Sequence, residues 1–544
     1  MNRTVLIGLD GASFSILDPL MEAGVMPFLK RFADGGVRAG LLSTPNPLTP
    51  PAWASVMTGR SPGQHGLFDF IWAEQRETDH YFTLCNFHDI RCETIWSIVS
   101  REQGTIAALN FPFLSPPPRV CGSIVPGFVS WKHLGRNVYP RELYAELQSI
   151  PGFDAKSLAW DFDLEKKAEQ GVSPEEYESW VAFHVRRERQ WFEVARHLMR
   201  TSASDLFAIL FDGPDKLLHM GYRFLDPAQF PPSPSAWERK VRSICLDYFR
   251  ELDGFLCELV RLAGPEARVV MVSDHGFGPS WQVFRVNTWL HQEGYLVWKD
   301  LSGLDPQSRR SAQRVADRHF VLLDWDKTTA YARSATANGI FIRVAERPGE
   351  PGVPAGQYQA FRAELVAKLR ALRAPDSGEP IVRDVLLKEE AFPGPHNRQA
   401  PDLTLVLCDH GFVSIKNKSP VIERRAEIAG THYPEGVFFA GGGGIRRAAR
   451  LPQLSILDVA PTLLYSLGLP IPSDFERSLP GGVFEEAYVA SHPCRRGPPT
   501  VSPDISAPDG AVPRATPAEE AQMLKILEAL GYIESEETDS AGQR

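Results

Sequence analysis

Nowhere in the 544 residues does an apolar run approach the ~18 side chains that cross a membrane, so no transmembrane helix is expected. Cysteine is sparse and scattered. The seven stand singly at positions 85, 92, 121, 245, 257, 408 and 494, with no C-x-x-C pair and an odd total. That pattern argues against a disulfide framework or a thiolate zinc site and fits a reducing compartment. Excess positive charge is missing too: 58 Lys and Arg face 67 Asp and Glu, a net charge of -9. No global basic field is there to attract a nucleic-acid polymer. Arg186, Arg187 and Arg189 form a local basic cluster, but Glu188 interrupts it and it reads as a solvated helix face. The apolar start of the chain is too short for a signal-peptide core, lacks a small-residue cleavage site and runs into Asp10. A cytoplasmic protein is the expectation.

What the chain does have is acids at the ends of apolar runs. With 43% hydrophobic and 23% charged residues it is globular, and its length allows one elaborated domain or two to four ordinary ones. Residues 4–9 run into Asp10-Gly11, 206–211 into Asp212-Gly213-Pro214-Asp215, and 268–273 into Asp274-His275-Gly276. A fourth run, 403–407, ends near Cys408-Asp409. Short continuous apolar runs read as buried parallel strands, and open α/β sheets bind ligands beyond the carboxyl ends of such strands. With helical patterns between them, they predict a layered α/β core.

Two stretches interrupt that core. The expected segments are a first core part over 1–130, a helical insertion over 131–200, a second core part over 201–293, a mixed insertion over 294–394, a third core part over 395–480, and a tail over 481–544. In the first insertion, Ser173-Pro174-Glu175-Glu176 carries a cap, a first-turn proline and acids, and starts a helix to about Met199. The second has a strand over 339–344 and a helix around 358–372, and is open to a peripheral or a substrate-contacting role. The tail is rich in Pro, Ser and Gly over 492–514, a linker or an extended strap. Thr516-Pro517-Ala518-Glu519 then begins an amphipathic helix to about Leu530, which either docks on the core or pairs with a second copy in a homo-oligomer.

Thr49 stands alone before Pro50 and Pro51 at the head of a helix over 52–58. Prolines suit a first helical turn, and the dipole and N–H groups of a helix N-terminus favour a phosphate-like anion. From this stretch alone, Thr49 is either a nucleophile or an ordinary N-cap.

Elsewhere, Asp215 and His219 are spaced i, i+4, so on a helix they face the same way and can share one metal ion. Asp274 and His275 are adjacent after a strand, and His432 lies in Gly430-Thr431-His432-Tyr433-Pro434. The set LIGLDG around Asp10, the Thr-x-Pro-x-x-x-Ser-x-x-Thr-Gly segment from Thr49 to Gly59 with Pro62 and His65-Gly66 after it, PDKLLH at 214–219, SDHG at 273–276 and GTH at 430–432 resembles the alkaline phosphatase superfamily. Within it the chain is similar to the type I phosphodiesterase and nucleotide pyrophosphatase branch. VNTWLHQEGYL, APDLTLVL and LDVAPTLLYSLGLP also look like that superfamily's microbial group of predicted phosphohydrolases and phosphomutases.

The resemblance implies an alkaline phosphatase-like α/β/α core with a mostly parallel sheet, plus helical and mixed insertions. It also implies two divalent metal sites: Asp215, His219 and His432 at one, and Asp10, Thr49, Asp274 and His275 at the other. Two such ions clamp a phosphoryl group and activate the Thr49 hydroxyl, which would form a covalent phosphothreonine. Three Asp and three His suit zinc, and ligand type also admits Mn or Fe. The implied partner is a small-molecule phosphate ester. Ala52 stands where the resemblance looks for a phosphate-holding Asn, which leaves the contact to another group; Lys216 is one substitute, or else a surface residue. Thr49-Pro50-Pro51-Ala52-Trp53 does not match a sulfatase frame. A phosphomonoesterase or phosphomutase would need further cations for a dianionic phosphate, and a non-catalytic binding protein would have lost ligands that are all present. His65 reads as a support for the Thr49 loop, and Asp458 as a helix-cap acid.

Overall fold

The strand Thr4–Leu9 (β1) is buried along its whole length, because its two faces serve two different apolar layers. Val5, Ile7 and Leu9 enter one layer and Leu6 the other. Such double burial is why the run reads as continuously apolar. The computed structural model describes residues 3–76, 79–159, 174–300, 302 and 322–501.

Around β1 the sheet is completed by Val37–Leu42 (β2), Ile106–Leu109 (β3), Gly122–Val125 (β4), Leu206–Phe211 (β5), Arg268–Val272 (β6), Glu435–Gly441 (β7), Ala449–Arg450 (β8) and Leu454–Ser455 (β9). The order is β8-β2-β7-β6-β1-β5-β3-β4, with β9 also on β2. Every pairing is parallel except those of β7, which runs antiparallel to β6 and β2. Helices Phe14–Glu22 (α1), Pro174–Thr201 (α3), Gly213–Leu225 (α4) and Ala236–Ala263 (α5) cover one face. Thr49–Thr58 (α2) covers the other, with the helices Ile95–Arg101 and Val459–Ser466 beside it. This is the expected layered α/β/α core with a mostly parallel sheet.

α2 lies so close to β1 that Gly8 is required there. A Cβ at that position would meet Trp53 Cη2 at 2.6 Å and Leu210 Cδ1 at 2.7 Å.

Two elements depart from the sequence reading. Leu403–Leu407 does not join the central sheet: it pairs antiparallel with Val382–Leu387 and with Gly339–Ile342, in a four-stranded sheet that includes Ala330–Tyr331. That sheet shares a separate apolar cluster with the helix Tyr358–Ala371. A five-residue apolar run signals burial and leaves the choice of sheet open. α2 also starts at Thr49 rather than Ala52, and the N-cap position belongs to Leu48.

A long ribbon, Gly276–Phe284 against Ile422–Tyr433, places His432 directly opposite Phe277 and so beside the end of β6. Near the chain end, the short helix Glu486–Ser491 is followed by Arg496–Gly497, which pairs with Ile471–Pro472. Ser173 and the helix expected to end near Leu530 lie outside the described residues. No described helix is long and apolar enough to cross a membrane.

His65 holds the far end of α2 against its own loop. Its Nδ1 accepts the Leu67 N–H (3.2 Å), so the ring proton sits on Nε2 and faces Ser55 Oγ at 3.1 Å. Complete burial, with His396 and Arg60 nearby, lowers its pKa from 6.5 to about 3. The unfolded chain therefore binds the extra proton between about pH 6.5 and 3, and stability falls as pH drops through that window. The slope from this one group is up to about 1.4 kcal/mol per pH unit. Denaturant unfolding measured from pH 7 to 4 should show a shallower decline for His65→Gln than for the parent chain; parallel curves would assign the acid sensitivity to other groups.

Candidate metal centre

At the carboxyl edge of the sheet, β1 delivers Asp10 and β6 delivers Asp274 and His275. Each carboxylate spends one oxygen on anchoring. Asp10 Oδ2 accepts from the Trp53 indole at 3.2 Å, and Asp274 Oδ1 accepts from the Gly11 N–H at 3.2 Å. The remaining oxygens, Asp10 Oδ1 and Asp274 Oδ2, are buried without a hydrogen-bond partner and lie 3.5 and 3.4 Å from His275 Nε2. Thr49 Oγ1 is 3.3 Å from the same nitrogen. His275 Nδ1 sits 3.1 Å from the Gly276 carbonyl, which can only accept. Its proton is thereby placed on Nδ1, and the Nε2 lone pair is turned toward the carboxylates.

Beside these four groups is a second set. One turn of α4 carries Asp215 and His219, with Oδ1 and Nε2 3.3 Å apart. From the ribbon, His432 brings Nε2 to 3.1 Å from Asp215 Oδ1 and 3.0 Å from His219 Nε2. Its Nδ1 lies 2.9 Å from the Pro47 carbonyl, which again reserves the Nε2 lone pair for the centre. The two sets adjoin: His275 Nε2 is 3.9 Å from Asp215 Oδ1, and the His275 and His432 rings stack at 3.6 Å.

The electrostatics follow from crowding like groups in a dry place. Burial, reinforced by Asp274 and Asp215, pushes Asp10 well above the usual carboxylate range. Burial and then Asp215 push Asp274 up to about 8. Burial acts on Asp215 too, but Lys216 and His219 outweigh it and hold that carboxyl well below its ordinary value. Burial and neighbouring His432 take His275 well below the normal imidazole range, and burial takes His432 down to about 4. Neutral imidazoles and carboxylate oxygens are acceptors, and here they point at one another. Atoms so arranged fit a divalent cation: Asp215, His219 and His432 could hold one, and Asp10, Asp274 and His275 another, with ligand atoms inside 4.8 Å in each set.

The structure thus brings Asp10, Thr49, Asp215, His219, Asp274, His275 and His432 to one sheet edge. Other sequence readings need correction. Pro50 and Pro51 carry no N–H, and Ala52 donates its own to Leu48 O, so α2 offers a phosphate its dipole rather than a cradle of amides. Ala52 itself belongs to the apolar layer with Leu6 and Trp53, where an amide would have no phosphate to meet. Lys216 is no surface residue: it is 4% exposed, with Nζ 2.8 Å from Asp215 Oδ2. Asp458 accepts the Ser455 N–H at 2.8 Å, in keeping with a cap acid. One cluster escaped the sequence altogether. Buried Asp69 accepts from Ser334 and Thr336, while Asn46 Nδ2, three residues before Thr49, donates to the Thr336 carbonyl at 2.8 Å. Contacts between loops this far apart follow no spacing rule.

No curated protein matches the chain. Among solved structures, phosphonoacetate hydrolase from Sinorhizobium meliloti 1021 is 18% identical with a TM-score of 0.49, covering 86% of this chain and 95% of that one. Murine ectonucleotide pyrophosphatase/phosphodiesterase 5 is 15% identical with a TM-score of 0.49 over the same shares, and its human counterpart is 13% identical at 0.48, covering 90% of this chain and 99% of that one. The profile of the type I phosphodiesterase and nucleotide pyrophosphatase family matches residues 4–435, most of the length, and the chain belongs to that family of phosphoester-acting hydrolases.

Proposed function

We propose that this protein is a phosphodiesterase that cleaves a small-molecule phosphate ester through a covalent phosphothreonine at Thr49. The observation that carries the reading is the position of Thr49 Oγ1, 3.3 Å from His275 Nε2, at the N-terminus of α2 and beside two sets of acceptor side chains. In this reading Asp215, His219 and His432 hold one divalent ion, and Asp10, Asp274, His275 and Thr49 hold a second. Bound there, two zinc ions (or Mn or Fe) would neutralise the phosphoryl oxygens and lower the pKa of the hydroxyl.

The chain's own contribution is position. The two prolines fix the backbone behind Thr49, and the His65 contacts hold the other end of its helix, so the hydroxyl does not have to be found by rotation of a mobile loop. Thr49 Oγ attacks phosphorus, a P–O bond to the substrate's alcohol breaks, and that alcohol departs with a proton. Water then cleaves the phosphothreonine, which releases the second ester as a phosphomonoester and restores the hydroxyl. Lys216 orients Asp215 by binding its Oδ2, so that Oδ1 faces His219 and His432. With Lys216 committed there, the motifs carry no other Lys or Arg for a dianionic phosphate, which favours diesters over monoesters.

Three measurements test this. Elemental analysis of purified protein should find close to two divalent ions per chain after saturation with Zn or Mn; less than half an equivalent in folded protein would sink the two-ion reading. In kcat/KM, bis-p-nitrophenyl phosphate should exceed p-nitrophenyl phosphate, and the reverse order would make the enzyme a monoesterase. Thr49→Ala should lower diester turnover by roughly a thousandfold or more, while Thr49→Ser keeps an attacking oxygen and measurable activity. A stable Thr49→Ala protein with near-parental turnover would refute the covalent route.

A further inference from the structure

Behind the Asp215, His219 and His432 set lies a buried polar cluster that the motifs do not include. Arg187 and Glu188, on the inserted helix α3, are each 1% exposed, so the solvated-face reading fails for this pair even though Arg186 and Arg189 are exposed. Arg187 Nη1 bonds to Asp212 Oδ1, and Asn110 Nδ2 reaches the same oxygen at 3.3 Å while donating to the Leu210 carbonyl at 2.8 Å.

Asp212 occupies the N-cap position of α4, yet its side chain makes no cap bond to that helix. It faces Arg187 instead. The cap is supplied from outside: Glu188 Oε1 accepts the N–H of Gly213, the first residue of α4, at 3.3 Å, and its Oε2 accepts from Tyr248 Oη at 3.2 Å. Space for this exists only because residue 213 is glycine, since a Cβ there would stand 2.2 Å from Tyr248 Oη and 2.9 Å from Glu188 Cδ. An unsatisfied N–H at a buried helix start is costly, and so is an unpaired buried Asp. Both costs are met by two consecutive side chains of one neighbouring helix.

We propose that Arg187 and Glu188 are positioning residues: by clamping Asp212 and capping Gly213 they set the start of α4, and so the direction in which Asp215 and His219 face their cation. The inference rests on reading Asp215 and His219 as ligands. It gives the helical insertion a task at the centre, since Asp215 lies three residues beyond Asp212. A purely structural role would instead lower stability and leave cation affinity alone.

The test is zinc binding by chelator competition on the full chain, with far-UV circular dichroism as the check on folding. The parent should bind two equivalents. The pair Arg187→Met with Asp212→Asn removes one buried charge of each sign and should fold, but bind one equivalent roughly 10–100-fold more weakly, as losses of outer-shell support do. Arg187→Lys with Asp212 intact keeps the charge without the planar fork and should lose only part of that affinity, and Glu188→Gln, which keeps an acceptor for Gly213, should bind as the parent does. If the double variant binds both equivalents with parental affinity, or does not fold, the clamp is overturned. A parent that binds fewer than two equivalents overturns the two-ion reading first and the clamp with it.

Discussion

Three carboxylates and three imidazoles share one dry corner of this fold with their acceptor atoms turned on each other, and that arrangement governs what surrounds it. Groups of this kind are costly to bury, by several kcal/mol for each uncompensated charge. The chain tolerates them because five of the six first meet a fixed partner: Trp53 for Asp10, Gly11 for Asp274, Lys216 for Asp215, and backbone carbonyls for His275 and His432. These contacts occupy one end of each side chain and leave the other end aimed inward. The centre is therefore pre-oriented by bonds that lie outside it.

Three kinds of backbone deliver these groups, and each constrains the next. Parallel strands β1 and β6 lie side by side, so the residues after them, Asp10 and Asp274, emerge together. α4 follows β5 and presents Asp215 and His219 from one turn. His432 arrives on an antiparallel ribbon whose register opposes it to Phe277, two residues past His275. A slip of one residue in that ribbon would turn His432 to the opposite face. Register there is thus a requirement of the centre as well as of the sheet.

What was legible in the sequence divides along the same lines. Strand ends bearing Asp10 and Asp274 could be read because a doubly buried strand is a continuous apolar run and its end is marked by an acid and a glycine. The i, i+4 spacing of Asp215 and His219 carries its own geometry. Leu403–Leu407 was assigned to the wrong sheet because burial is all that such a run encodes, while its partners are set by long-range pairing. Arg187 was misread for a related reason: in a basic, Glu-containing stretch of helix, charge pattern predicts solvent, and only the position of α3 against α4 shows that one of the three arginines points inward. Thr49 as an N-cap was a near miss of one residue, and the difference decides whether its hydroxyl faces its own helix or His275.

Two segments packed beside the centre make the same point. Polar insertions that merely rest on a core can shift without large cost, since their contacts are exchangeable with water. Neither segment here is held that way. α3 reaches the head of α4 with Arg187 and Glu188, both buried, and the loop carrying Ser334 and Thr336 reaches the loop before Thr49 through Thr336 and Asn46, with Asp69 sealed against Ser334 and Thr336. A buried polar contact tolerates little displacement, because moving it strands a donor or acceptor without water. Each segment is thereby registered to a different half of the centre, one to the helix bearing Asp215 and His219, the other to the loop leading to Thr49. Both segments are in this way placed against the centre with a precision that apolar packing alone would not impose.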